Sequence, residues 1–271
     1  MSGHGQGDTH DGGHRDYGGL HEDLALTGAS MRRRDLLKLA MGVGVLQLLG
    51  CADLANAAGS DENAACPRIP TETAGPYPGD GSNGPNVLDD VGVVRSDIRS
   101  SFAGLSGTAA GVTLTVTLTI LDADSCAPLA GRAVYLWHCD RAGRYSLYST
   151  GVTDQNYCRG VQETDAQGKV TFTTIFPGCY AGRWPHIHFE VYPSLAHATS
   201  SGSKVATSQL AFPQATCDLV YQEAGYSASI TNLAGVSLAT DNVFSDGASR
   251  QLATMTGDVT AGYTATLTVP I

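Results

Sequence analysis

Two histidines two residues apart, His186 and His188, are the first sign of chemistry in this 271-residue chain. They close the run Phe176-Pro177-Gly178-Cys179-Tyr180-Ala181-Gly182-Arg183-Trp184-Pro185-His186-Ile187-His188-Phe189. On a strand, residues i and i+2 project from one face, so both imidazoles can reach one metal ion. The pair alone is a weak signal, because strands carry His-x-His without any ligand role. A catalytic zinc site wants a third histidine, cysteine or carboxylate; beyond the leader only His138 and His197 remain. A cupin-like site needs an acidic ligand a few residues past the pair and a later histidine. Glu190 falls only two residues after His188. It reads as a solvated strand residue, or else as an acceptor for an imidazole N–H. No Cys-x-x-Cys spacing occurs, which argues against a soft zinc site.

The remaining hard donors are tyrosines. A free phenol ionises near pH 10, to within about a unit, but a bound trivalent cation favours the phenolate by direct attraction. Two phenolates and two imidazoles would offer iron(III) a mixed oxygen and nitrogen donor set with a position left for hydroxide.

Such donors need a rigid support, and the chain beyond its leader reads as strands. Val112 to Ile120 alternates apolar and polar without a fault, the period of a half-buried strand. Ala133 to Trp137, Val170 to Ile175, His186 to Tyr192, Val205 to Phe212 and Tyr263 to Val269 complete the set. Asp122–Pro128 and Ala166-Gln167-Gly168 supply turns. No long amphipathic helical period appears. The expected fold class is therefore all-β, a β-sandwich over residues 111–271 with long loops. Residues 58–110 are expected to form an irregular N-terminal arm, since Pro67, Pro70, Pro76, Pro78 and Pro85 sit there among Gly and Asn. Residues 220–260 read as mostly loop.

Residues 1–57 are expected to stand outside the fold. Residues 1–30 are polar and Gly-rich, with His4, His10, His14 and His21; a disordered leader is favoured over a metal-scavenging tail. Met31-Arg32-Arg33-Arg34-Asp35-Leu36-Leu37-Lys38, with the apolar run Leu39–Gly50, resembles a twin-arginine export signal. The run is short of the roughly 20 residues a membrane span needs. Cleavage after Ala55-Asn56-Ala57 is favoured over lipidation at Cys51 in Leu48-Leu49-Gly50-Cys51. Twin-arginine routes carry folded, often cofactor-loaded proteins, so a signal of this type fits a metal site. Six cysteines follow Cys51, and their pairing is open. The net charge of −10 argues against a nucleic-acid partner, which calls for a basic stripe.

Taken together, several motifs match one family. Leu136-Trp137-His138-Cys139-Asp140 with Gly143-Arg144-Tyr145, then Pro177-Gly178-Cys179-Tyr180, then Arg183-Trp184-Pro185-His186-Ile187-His188-Phe189, resemble the intradiol ring-cleavage dioxygenases. The likeness extends upstream to Thr73-Ala74-Gly75-Pro76-Tyr77 and downstream to Thr207-Ser208-Gln209-Leu210. It implies an iron(III) enzyme that inserts both atoms of O2 into a catechol-type ring to give a muconate-type diacid. Tyr145 then looks like the tyrosinate that stays on the metal, with Tyr148 a rival of poorer spacing. Tyr180 looks like the axial tyrosinate that substrate displaces. His186 and His188 match the histidine ligands, Arg183 the arginine that stabilises a carbanion-like substrate, and Gln209 a glutamine near the oxygen side. Tyr77 and Trp137 are expected to line the substrate pocket. Plainer readings stand beside these: Trp137 as core, Arg183 and Gln209 as surface groups, Tyr145 as a loop tyrosine. The long helical N-terminal region used for dimerisation by cytoplasmic catechol dioxygenases is not seen, so homo-oligomerisation is left open. The competing functions are a non-catalytic binding sandwich and another His-x-His metal oxygenase.

Overall fold

The structure, a computed structural model, describes residues 66–271. The expected leader and export signal, with Cys51 and Ala57, and the first residues of the expected arm lie outside the described residues. Eight strands and two short helices follow in the order β1 (Thr113–Leu121), β2 (Ala133–Trp137), β3 (Arg159–Glu163), β4 (Lys169–Ile175), β5 (His186–Tyr192), β6 (Ala206–Ala211), α1 (Gln214–Val220), α2 (Ser227–Ala234), β7 (Thr254–Asp258) and β8 (Gly262–Pro270). They form two four-stranded sheets, ordered β4-β1-β8-β7 and β3-β2-β5-β6. β1 and β8 run parallel; the other pairs are antiparallel. The fold is the expected β-sandwich.

In the first sheet the period-two pattern has a direct outcome. Leu114, Val116, Leu118 and Ile120 of β1 point inward and are fully buried, with Phe172 of β4 and Ala265 and Val269 of β8. They meet Val134, Leu136, Ile187, Phe189, Val191 and Leu210 of the second sheet in one core. The intervening threonines of β1 face outward and stand in register with threonines of β4 and β8, such as Thr117 with Thr171 and Thr266. Thr is a residue that suits a pleated, half-solvated surface.

The second sheet is different, because its outer face is also covered. All seven residues of β5 are buried. On that outer side Tyr135, Trp137, Val161 and Tyr192 pack with Tyr77, Val87, Leu88, Val93 and Phe102 of the preceding segment. Residues 66–110 contain no named strand. They cross the molecule instead. Ile69 N bonds Pro270 O and Glu72 N bonds Thr207 O at one end; Arg95 N bonds Val161 O and Ile98 N bonds Thr173 O at the other. The segment thereby closes the exposed edges of β3 and β4, which otherwise present unpaired backbone groups.

Several expectations need correction. β3 and β7 were not anticipated: Arg-Gly-Val-Gln-Glu and Thr-Met-Thr-Gly-Asp carry too few alternating apolar residues to show the strand period. Residues 220–260 are mostly loop, but they also hold α2 and β7, which were not anticipated. Helices of seven and eight residues are too short to develop a visible period and are held by tertiary packing. Of the cysteines, Cys66 and Cys126 are joined; Cys139, Cys158, Cys179 and Cys217 are buried thiols. Among the described residues no helix is long and apolar enough to cross a membrane.

Phe172 is fully buried between the sheets, so Phe172→Ala should lose about 3–5 kcal/mol of stability, read as a lower urea midpoint with an unchanged slope.

Candidate metal centre

The register of β5 puts His186 and His188 on the covered outer face, each 2% exposed. His188 lies opposite Trp137 on β2 and Gln209 on β6. The Trp137 indole stacks on the His188 imidazole at 4.9 Å and 5° between planes, which sets the ring's orientation. From above, Gly75 presses its backbone against the same ring. A Cβ there would come within 3.3 Å of His188 Cε1, and the φ of +68° already favours glycine.

Four donor atoms from three segments meet here. His186 Nε2 lies 3.1 Å from His188 Nε2, 3.3 Å from Tyr180 Oη and 3.4 Å from Tyr145 Oη. Tyr145 comes from the loop after β2, and Tyr180 from the Gly-rich turn after β4. The geometry fixes a tautomer. His186 Nδ1 lies 2.5 Å from the Trp184 carbonyl, which can only accept. The ring therefore carries its hydrogen on Nδ1 and turns the Nε2 lone pair toward the other three groups. Backbone orientation of this kind is what a metal-ligating histidine requires.

The electrostatics point the same way. Burial holds both imidazoles well below their ordinary pKa, with Arg183 adding to the effect, so both are neutral. Burial, and then the neighbouring Tyr180, pushes the Tyr145 phenol well above its ordinary value. Neutral imidazoles and a phenol that cannot ionise unaided are matched to a strong cation, which reverses the balance at oxygen. Among the described residues His, Cys, Asp and Glu form no cluster of three or more able to hold a metal. A donor set at this place would have to include the tyrosines, and an N₂O₂ set would suit a hard, trivalent ion.

A second layer of polar groups surrounds these donors. Arg183 is 2% exposed, and its Nε donates to Asp241 at 3.0 Å while Nη2 donates to Gln209 Oε1 at 2.7 Å. Gln209 Nε2 in turn donates to the Thr73 carbonyl of the arm at 2.9 Å. Neither side chain is a surface group. Asp241, fully buried, also accepts the backbone N–H groups of Trp184, Val243 and Phe244. Sequence reasoning missed Asp241, which sits 58 residues from Arg183 in an aperiodic stretch.

Tyr77 packs on Tyr145 with ring centroids 4.8 Å apart. Tyr148 is elsewhere: its hydroxyl meets Gly79 N and the Asn83 carbonyl. Glu190 is not solvated as expected. It is fully buried and accepts from Tyr192 Oη at 2.6 Å and Lys204 Nζ at 2.5 Å, because the arm and the Pro193–Val205 connection cover that end of β5. Burial raises its pKa.

The chain is similar to known proteins in sequence and in fold. The sequence profile of a family described as Dioxygenase matches residues 96–217. The chain is 31% identical over 136 residues to the protocatechuate 3,4-dioxygenase beta chain of Burkholderia cepacia, an alignment covering 46% of this chain and 54% of that one. It thus spans about half the length of that curated relative. Among solved structures, an intradiol ring-cleavage dioxygenase from Tetranychus urticae superposes with a TM-score of 0.61 at 25% identity, over 76% of this chain and 95% of that one.

Removing the negative charge beneath Arg183 leaves a buried cation without its counter-charge. Asp241→Asn should therefore cost on the order of 3 kcal/mol of stability, measured by urea unfolding; a change under about 0.5 kcal/mol, the size expected of a surface substitution, would mean that the pair is dispensable.

Proposed function

We propose that this chain, which is similar to intradiol ring-cleavage dioxygenases, is one of them and uses non-haem iron(III) to open a catechol-type ring with both atoms of O2, giving a muconate-type diacid. The observation that carries the reading is the meeting of two phenolic oxygens and two imidazole nitrogens around His186 Nε2. Tyr145, Tyr180, His186 and His188 would hold the ion, which when bound supplies Lewis acidity and a template for both catechol oxygens.

The protein's own groups divide the remaining work. Tyr145 is enclosed, packed against Tyr77, and suited to stay in place. Tyr180 is half-buried in a turn flanked by Gly178 and Gly182, so it is the donor best placed to swing away and take a substrate proton at Oη. Arg183 would stabilise negative charge on the ring in a water-poor pocket, its guanidinium held by Asp241 and Gln209. Gln209 would flank the side where O2 arrives. Tyr77 and Trp137 would line the pocket, Trp137 doing so while it fixes the plane of His188. Residues 31–57 support export by a twin-arginine-type route with cleavage after Ala57.

Oxygen uptake with a panel of dihydroxybenzenes tests the reading. The iron-loaded protein should be reddish, shift colour on adding a catechol, and consume O2 with formation of a ring-opened diacid. Tyr180→Phe should perturb the colour and slow turnover by about tenfold or more, equivalent to roughly 1.4 kcal/mol in the barrier. His188→Ala should lose iron. A colourless protein holding zinc or copper, or variants with full iron and full activity, would contradict it.

A further inference from the structure

Arg159, on β3, is a fully buried cation that the reaction just described does not use. Its guanidinium donates five hydrogen bonds. Nη2 reaches the Tyr77 carbonyl at 2.9 Å and the Ser146 carbonyl at 3.0 Å. Nη1 reaches the Pro78 carbonyl at 2.8 Å and Tyr135 Oη at 3.2 Å. Nε reaches Ser146 Oγ at 3.0 Å. All five partners are neutral oxygens. Burying a cation in this way is costly unless every donor is satisfied, and here the whole planar fork is consumed.

The partners lie next to the site. Tyr77 packs on Tyr145, and Ser146 directly follows Tyr145 in the chain. Arg159 therefore grips the backbone of the arm at Tyr77–Pro78 and that of the donor loop at Ser146 from one point on the sheet. Two further features tighten the grip. Tyr135 Oη also donates to the Pro78 carbonyl at 2.7 Å. A Cβ at Gly79 would come within 2.9 Å of Arg159 Nη1, where the φ of +65° already favours glycine, so the arm lies directly against the guanidinium.

We propose that Arg159 is a positioning residue for the metal centre: through the Tyr77, Pro78 and Ser146 carbonyls it fixes the arm and the Tyr145 loop relative to each other. The proposal rests on the iron dioxygenase reading for its spectroscopic and kinetic arms, and the hydrogen-exchange arm is independent of it. Lysine cannot reproduce the role, because a point charge with three rotatable donors does not span three carbonyls held in a planar fork.

The test compares wild type with Arg159→Lys, Ser146→Ala and Tyr135→Phe, first without metal and then loaded with ferric iron. In metal-free Arg159→Lys, amide hydrogen exchange at Gly79 and Ser82 of the arm should rise at least tenfold, while the core amides of β1 and β8 stay protected. In the iron-loaded variant the visible absorption band should shift and KM for catechol should rise several-fold more than kcat falls. Ser146→Ala and Tyr135→Phe, each losing one hydroxyl, should show the same changes in smaller measure. They carry the test should Arg159→Lys fail to fold. Uniformly lower stability with unchanged arm exchange, band position and KM would overturn the proposal, since that is what a merely structural arginine predicts. A wild type that binds no iron would instead sink the dioxygenase reading, leaving the exchange result to decide the role of Arg159.

Discussion

The site depends on one constraint: β5 is buried on both faces. Its inner face, Ile187, Phe189 and Val191, belongs to the sandwich core. Its outer face, His186, His188 and Glu190, lies beneath the arm and the loops that follow β2 and β4. A strand clamped from both sides cannot slip in register without expelling one face or the other. The two imidazoles are therefore held with little freedom, and the phenols of Tyr145 and Tyr180 are brought to them from outside the sheet. Preorganisation of this kind is what a metal site demands, since ligands that must be collected at binding lose affinity to ordering.

Burying so many polar groups is costly unless each is answered, and the surroundings of the site are arranged as matched sets. Arg183 is answered by Asp241 and Gln209. Glu190 is answered by Lys204 and Tyr192. Arg159 is answered by carbonyls and hydroxyls of the arm and the donor loop. Each set also joins separate segments, so satisfying the charge and fixing the geometry are one act. In such a dry environment the imidazoles are neutral and the Tyr145 phenol resists ionisation. A tightly bound cation is the group that would turn that phenol into a strong ligand.

What was legible in the sequence followed the strength of local signals. The Thr-alternating β1 and the His-Ile-His-Phe run of β5 announce strands because one face is apolar with a period of two. Tyr145, Tyr180, Arg183 and Gln209 could be named in advance because they lie in motifs of the resembled family. β3 and β7 were not legible, being edge strands fixed by pairing rather than by pattern. Asp241 and Arg159 were not legible either. Their meaning lies in partners distant in sequence, Arg183 for one and the Tyr77 and Pro78 carbonyls for the other. Glu190 was misread because nothing in its strand reveals that the arm covers it.

The central claim is that four side chains share one ferric ion. Anomalous diffraction at the iron absorption edge from crystals of the iron-loaded protein measures this directly. The account predicts a single strong peak within bonding distance of Tyr145 Oη, Tyr180 Oη, His186 Nε2 and His188 Nε2. A peak elsewhere, or one touching the histidines while both phenols point away, would contradict it.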